Sequence, residues 1–180
     1  MQAGSEIPAS RVTGFARAEG APPEPADWPS PWADWFARIS PAPVLWSYHE
    51  LGADLLGPVR SSDRSDFFKK LIGELQLPKG SSVFWPSAMP LAAKDGGELA
   101  ADAVIFSAGI RRLKPQVVVV FGERALEDIG LSGSIRPFRQ ELIEGKLVLG
   151  LPEIAALLRN SGQRASAVSL LRAVLSSVRL

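Results

Sequence analysis

The loop after the first apolar run holds the residues best suited to acid–base chemistry. His49, the only histidine of the chain, is followed by Glu50 and, a few residues later, by Asp54. An imidazole beside a carboxylate can take up or release a proton near neutral pH. Adjacent residues of an extended segment point to opposite sides, so His49 and Glu50 do not form a ready-made pair. A structural or solvated His49 is the competing interpretation.

A second turn with chemical interest lies near the end of the chain. The stretch KLVLGLPEIAALLRN predicts a strand, a tight turn through Gly150 and a helix whose first turn carries Pro152. Turns from a strand into a helix often hold the functional residues of α/β proteins. This turn offers Leu151, Pro152 and Glu153.

Alternating strands and helices must position these turns. The predicted strands are PVLWSY, SSVFWP, QVVVVFG and KLVLG, and the predicted helices are SDRSDFFKKLIGEL, GGELAADAVIFSAGIRRL, ERALEDIG and SGQRASAVSLLRAVLSSVRL. Four successive valines and a phenylalanine are typical of a central parallel strand covered on both faces. The sequence therefore predicts an α/β fold, a three-layer α/β/α domain with a central, mostly parallel four-stranded sheet. Its functional crevice is expected beyond the carboxyl ends of the strands.

The predicted domain occupies residues 41–180 and is preceded by a tail, residues 1–40, that is rich in proline, alanine and glycine. The prolines predict a largely extended tail, because they cannot continue a helix or a sheet ladder. The tail nevertheless carries four aromatic side chains, Trp28, Trp32, Trp35 and Phe36. Two interpretations are open: these rings fold back onto the core of the same chain, or they dock into a groove of a partner protein.

Composition excludes several classes of protein. With 46% hydrophobic and 22% charged residues the chain is typical of a globular protein, and its net charge of +1 creates no field that demands a nucleic-acid partner. The absence of cysteine excludes disulfides and cysteine-ligated iron–sulfur clusters, and one histidine with scattered carboxylates predicts no metal site. No apolar run approaches the roughly 20 residues that span a bilayer. The amino-terminal residues lack the basic and then apolar layout of a signal peptide, so we expect a cytoplasmic protein. We also expect no cofactor.

Three segments, in this order, resemble the uracil-DNA glycosylase superfamily. ELGADLLGPVRSSDRSDFFKKLIGELQLPKGSSVFWPSA is similar to the family's glycine-bearing first loop, following helix and second strand. LKPQVVVVFGERALEDIG resembles its L-x-P, hydrophobic run and G-x-x-A segment through Leu113, Pro115, Gly122 and Ala125. LVLGLPEIAALLRN resembles the segment with the family's His-Pro-Ser motif and the helix behind it. The resemblance runs from about Val44 to the carboxyl terminus and implies the fold of that family.

The resemblance also implies that the catalytic set is lost. The family places a histidine in the fourth loop to stabilise negative charge on the departing base, and here Leu151 stands in its place, before Pro152 and Glu153. An anionic glutamate beside a developing anion opposes that reaction. Trp85 stands where the family has a side chain, commonly asparagine, that reads the flipped base. We therefore expect a degenerate pocket, filled by apolar and acidic side chains, at Tyr48, His49, Trp85, Leu151, Pro152 and Glu153.

A narrower resemblance, in outline only, is to the psi subunit of the bacterial DNA polymerase III clamp loader. That protein has the same fold without glycosylase activity and engages its partner subunits through an amino-terminal peptide. The likeness implies that the four aromatic residues of the tail bind a protein partner, a replication or repair component. Nucleic acid is a further expected partner, because a set of arginines could contact phosphates, with a solvated helix face as the alternative. These arginines are Arg111, Arg112, Arg136, Arg159 and Arg164.

The expected function is that of a non-catalytic binding or scaffolding protein of glycosylase fold. Its expected setting is DNA replication or repair, through protein contacts and with DNA contact left open. The alternative is a divergent but active DNA glycosylase that hydrolyses the N-glycosidic bond of a damaged base. In that case Glu50 or Asp54 would carry the reaction, with His49 beside them.

Overall fold

The central strand of the sheet is Val117–Phe121, a run in which every side chain is buried. Alternate residues of a strand point to opposite faces, and here Val118 and Val120 enter one hydrophobic layer while the other three enter the second. A strand that is apolar on both faces requires helices on both sides. The valine run therefore dictates a three-layer arrangement.

A computed structural model describes residues 14–57, 60–91 and 98–180 of the chain. Its strands are β1 (Val44–Tyr48), β2 (Ser82–Phe84), β3 (Ala88–Pro90), β4 (Leu99–Ala101), β5 (Val117–Phe121), β6 (Arg139–Ile143) and β7 (Lys146–Leu151). Its helices are α1 (Trp32–Phe36), α2 (Leu51–Leu56), α3 (Ser62–Glu74), α4 (Ala103–Leu113), α5 (Glu123–Asp128), α6 (Ile154–Arg159) and α7 (Ser161–Leu175). A 3-10 turn, Pro25–Asp27, precedes α1.

The main sheet has the order β2-β1-β5-β7-β6. The first four strands are parallel to one another, and β6 runs antiparallel to β7. The predicted three-layer α/β/α fold with a mostly parallel sheet is thus confirmed, with five strands instead of four. The extra strand, β6, lies at the edge of the sheet and is exposed along most of its length, so it lacks the apolar run of the buried strands.

The two faces of the sheet are covered by different helices. Helices α4 and α5 and the amino-terminal segment pack on one face, and α3, α6 and α7 pack on the other. Within the described residues, no helix combines the length and the apolar character needed to cross a lipid bilayer.

A small second sheet corrects the predicted start of one helix. The sequence predicts a helix from GGEL onward, but Leu99 lies in β4, which pairs antiparallel with β3. The helix α4 begins only at Ala103, because the Asp102 side chain accepts a hydrogen bond from the backbone N–H of Ile105 at 2.9 Å. An aspartate that satisfies a free amide in this way is a strong N-cap.

The aromatic residues of the amino-terminal segment pack onto the domain. Trp28 and Trp32 are 4% exposed, and their rings and that of Phe36 lie 5.4–5.7 Å from the ring of Trp85, centroid to centroid. Ring pairs at such distances add to the stabilisation that burial alone provides. In the structure these rings fold back onto the core of the same chain, which is the first of the two interpretations.

The predicted domain boundary at residue 40 therefore does not separate a tail from a core. The indole N–H of Trp35 donates a hydrogen bond to the carbonyl oxygen of Phe84 at 3.0 Å, which ties α1 to the edge strand β2. Phe15 is also buried in the same layer. Residues 1–13, the first part of the predicted tail, lie outside the described residues.

Replacing Trp32 with alanine should lower the free energy of unfolding by about 3–5 kcal/mol, because the buried indole is lost from its contact with Trp85. Leu142→Ala is the control, since this side chain on β6 is 73% exposed. It should change the free energy by less than about 0.5 kcal/mol. Urea denaturation of both variants measures the effect. An unchanged midpoint for Trp32→Ala would mean that the amino-terminal segment is not part of the core.

Candidate functional site

A cleft lies where the strand order of the sheet changes direction. From β1 the chain continues to β2 on one side and then to β5 on the other, so the carboxyl ends of β1 and β5 form a topological switch point. Open α/β sheets bind ligands at such points, because the loops diverge there. The cleft has a volume of about 160 Å³. We call it the switch-point cleft, and its polar lining includes Tyr48, His49, Glu50, Arg64, Arg124 and Glu153.

A chain of three side chains crosses the switch point beside this cleft. The Nδ1 atom of His49 lies 2.7 Å from Oδ2 of Asp128, and the hydroxyl of Ser87 donates to the same oxygen at 2.8 Å. The three residues come from three places: the loop after β1, the last residue of α5 and the loop after β2. The side chain of Asp128 is 3% exposed, whereas that of His49 is 22% exposed. The buried carboxylate therefore holds an imidazole that still reaches the cleft.

This arrangement fixes the roles of the two imidazole nitrogens. Oδ2 of Asp128 is an acceptor for Ser87, so the proton between His49 and Asp128 is assigned to Nδ1 of the imidazole. Among the described residues Nε2 of His49 has no hydrogen-bond partner. A ring held through Nδ1 presents Nε2 as the nitrogen that meets a ligand, as in many catalytic and metal-binding histidines.

Asp54 takes no part in the contacts among Ser87, Asp128 and His49 and has its own hydrogen-bond donors. Arg64 donates to it twice, from Nε to Oδ2 at 2.6 Å and from Nη2 to Oδ1 at 2.8 Å. The hydroxyl of Tyr48 donates to Oδ2 at 2.9 Å, and the backbone N–H of Ser61 donates to Oδ1 at 3.2 Å. Both carboxylate oxygens are used, so Asp54 is not free to act as a general base.

These contacts also set the protonation of the group. Burial works to raise the pKa of Asp54, but the hydrogen bonds from Arg64, Ser61 and Tyr48 outweigh it and lower the pKa below its ordinary value. Burial, together with the neighbouring Asp54, raises the pKa of the Tyr48 phenol far above its ordinary value. At neutral pH the cluster therefore consists of a carboxylate, a guanidinium and a neutral phenol.

The remaining charges give the cleft an acidic rim. Its lining residues include three carboxylates, Glu50, Asp63 and Glu153, and two arginines, Arg64 and Arg124. The charge of Arg64 is already matched by Asp54, and Arg124 pairs with Glu127 at 3.3 Å. The rim therefore favours a neutral or cationic ligand over an anion.

Within the described residues no group of three or more histidine, aspartate or glutamate side chains is suited to hold a metal ion.

The structure places the residues of the predicted degenerate pocket in different environments. Tyr48, His49 and Glu153 line the cleft, but Trp85 and Leu151 are fully buried in the hydrophobic layers on opposite faces of the sheet. The indole N–H of Trp85 donates to the carbonyl oxygen of Phe106 at 3.0 Å, and no Cβ would fit at the nearby Gly109. Pro152 is not part of the lining either. The expectation that Trp85 and Leu151 fill the hollow is wrong, because both side chains are needed to pack helices against the sheet.

The five arginines proposed for phosphate contacts do not form one surface. Arg111 and Arg112 lie at the end of α4, next to the amino end of β5, whereas the cleft lies at its carboxyl end. They pair with Glu144 and Glu24, and Arg164 of α7 pairs with Glu74. Arg136 and Arg159 are exposed.

Asp128 and Ser87 are the site residues that sequence reasoning missed. Asp128 interrupts the apolar side of α5, where Ala125 and Leu126 are buried. A carboxylate on the buried side of a short helix is a signal that it has a polar partner. Ser87 carries no comparable signal, because serine is common after strands.

Asp54→Asn should lower the free energy of unfolding at neutral pH by about 2 kcal/mol, because a charge-assisted pair is lost. The lowered pKa of folded Asp54 sets the sign of the pH dependence. The contribution of Asp54 is complete above the unfolded pKa of about 3.9 and is lost as the pH falls through the folded value. The difference between wild type and variant should thus be constant above about pH 5 and shrink below about pH 4.

Urea titrations over this pH range provide the measurement. Asp66→Asn, at an exposed aspartate of α3, is the control and should show a much smaller difference at every pH. A difference that persists undiminished in strong acid would contradict the assignment of Asp54 as an ionised partner of Arg64.

Asp128→Ala should change which nitrogen of the neutral His49 imidazole carries the proton. In the wild type we expect the proton on Nδ1, held by Asp128, and in the variant we expect a shift towards Nε2. Nitrogen-15 NMR reports this directly, because the chain has a single histidine. Glu141→Ala, at an exposed carboxylate of β6, should leave the tautomer unchanged. A wild-type imidazole protonated on Nε2 would refute the assigned geometry.

Comparison with models of known protein families finds no match to this chain, and a search of curated proteins finds none either.

Proposed function

We propose that this protein binds a small polar ligand in the switch-point cleft, with Nε2 of His49 as the group that exchanges a hydrogen bond or a proton with it. The observation that carries this proposal is the chain Ser87–Asp128–His49, with hydrogen bonds of 2.8 and 2.7 Å. Its outer end lies at the crevice where open α/β sheets bind their ligands.

The burial of Asp128 supports a site in preference to an incidental contact. Removing a carboxylate from water is costly unless it is paired and hydrogen-bonded. Here Asp128 is placed so that it orients one exposed ring and joins three separate segments of the chain. Preorganised groups of this kind are characteristic of ligand-binding and catalytic sites, because the orientation is fixed before the ligand arrives.

The charge of the rim narrows the class of ligand. Glu50, Asp63 and Glu153 repel phosphate, so the phosphate backbone of DNA is disfavoured at this face. A neutral heterocycle or a cationic amine suits the rim and can meet Nε2 of His49. A non-catalytic role in DNA replication or repair rests on the resemblance alone. We propose it for surfaces of the molecule other than the switch-point cleft.

Hydrolysis of an N-glycosidic bond is the second candidate. It is favoured by one specific observation: Trp85 and Leu151 leave the cleft open, and Glu50 lies in its lining. In that case Nε2 of His49 would accept a proton from the water whose oxygen bonds to the sugar carbon. The N-glycosidic bond would break, and the released base would take up that proton. Asp54, one of the two carboxylates expected to carry this reaction, is held by Arg64 and would act only through the position of that arginine.

Binding is tested by the imidazole resonances of His49 during titration with three sets of small probes. These are free nucleobases and nucleosides, simple amines, and the nucleoside monophosphates that match the nucleosides. At least one neutral or cationic probe should shift the resonances, and the matched monophosphate should bind more weakly. Asp128→Ala should weaken that binding by about tenfold, the equivalent of about 1.4 kcal/mol. Glu141→Ala, at an exposed carboxylate of β6 outside the cleft lining, should not. If only the monophosphates bind, the proposed ligand class is wrong.

Catalysis is tested with uracil- and hypoxanthine-containing single- and double-stranded DNA. Base release that is lost in His49→Gln and retained in Glu141→Ala would establish the second candidate. Binding of small probes without base release would leave the cleft as a binding site only.

A further inference from the structure

An apolar groove lies on the other side of the Tyr48–Asp54–Arg64 cluster. It runs between α2 and α3 beside the edge strand β2 and has a volume of about 450 Å³. Pockets of about 300–1,000 Å³ are large enough for drug-sized ligands or for several side chains of a peptide. We call it the edge groove, and its apolar walls include Leu51, Leu55, Phe68, Ile72 and Phe84.

The edge groove adjoins a second depression at the edge strand β2. This depression of about 310 Å³, lined by Trp35, Ile39 and Val83 among others, shares Leu55 and Phe84 with the edge groove. The second depression borders all three residues of β2, so the two depressions adjoin at this edge strand. Two adjoining apolar depressions suit a segment of polypeptide better than a compact small molecule, because successive side chains can enter successive depressions.

Charge at the rim indicates which segment would fit. Arg60 and Lys69 lie in the lining, and the side chain of Lys69 is 73% exposed and forms a surface pair with Asp66. Among the residues that the structure describes, Asp54 is the single acidic one in the lining, and Arg64 already matches its charge. The rim is therefore cationic, in contrast to the acidic rim of the switch-point cleft.

We infer that the edge groove binds an amphipathic segment of a partner protein, in which bulky apolar residues are accompanied by acidic ones. The apolar side chains enter between α2 and α3, and the carboxylates meet Arg60 and Lys69. Apolar burial supplies the affinity, and the opposite charges supply the orientation and the choice of partner. This site is independent of the ligand proposed for His49.

A synthetic peptide tests the inference on the full chain. The probe is a short, fluorescently labelled helix-forming peptide with Leu and Phe at i, i+4 spacing and Glu at the remaining positions. One counterpart has Lys for every Glu, and another has Ala for every Leu and Phe. Fluorescence anisotropy should show binding of the first peptide and at least about tenfold weaker binding of both counterparts. NMR shifts of backbone amides should map the bound peptide to Leu55, Phe68 and Ile72.

Charge reversal provides the matched variants. The double variant Arg60→Glu, Lys69→Glu should weaken binding of the acidic peptide by about tenfold or more. Lys70→Glu makes the same change one position along α3, outside the groove, and should alter the affinity by less than about twofold. All these positions are exposed, so the variants should keep the wild-type melting temperature.

Several results would overturn the inference. They are equal binding of the acidic and basic peptides, equal binding of the peptide without apolar residues, or an equal loss of affinity in Lys70→Glu. Absence of binding by the acidic peptide would do the same. Sedimentation that reveals a dimer dissociated by the double variant would assign the groove to a second copy of the chain instead.

Discussion

The parallel pairing of β1 with β5 is the constraint on which the rest of the structure depends. Five residues of each strand are in register, from Val44 opposite Val117 to Tyr48 opposite Phe121, and all ten side chains are buried. Such a pair can exist only with helices on both faces, and it forces the next strands to opposite sides. The same pairing brings the loops after the two strands together and so creates the switch-point cleft.

Two aspartates near this cleft illustrate how surroundings decide what a carboxylate does. Asp54 is enclosed by donors from Arg64, Tyr48 and Ser61, which use both of its oxygens and join α2 to α3. Asp128 has its closest contacts on one oxygen, and one of its partners is a partly exposed imidazole. The contacts of Asp54 hold α2 and α3 together. The contacts of Asp128 orient the imidazole of His49, which can contact a ligand.

Features set by local pattern could be predicted from the sequence. The valine run and the amphipathic α3 lead to the correct layers. The rule for crevices in open sheets leads to the ends of the strands where the switch-point cleft lies. Features set by distant contacts could not be predicted. His49 and Asp128 are 79 residues apart in the chain, and only the completed sheet brings them together. The edge strand β6 escaped detection because an exposed strand has little apolar pattern.

The packing around Trp85 has a spectroscopic consequence. Four of the five tryptophans, all except Trp46, lie where the amino-terminal segment meets the domain. The indole of Trp85 is shielded from water by its aromatic neighbours, and such a shielded indole emits at shorter wavelength than a hydrated one. Detachment of the segment would hydrate several indoles at once and move the emission to the red. The intrinsic tryptophan fluorescence of the chain therefore reports whether α1 is packed on the domain.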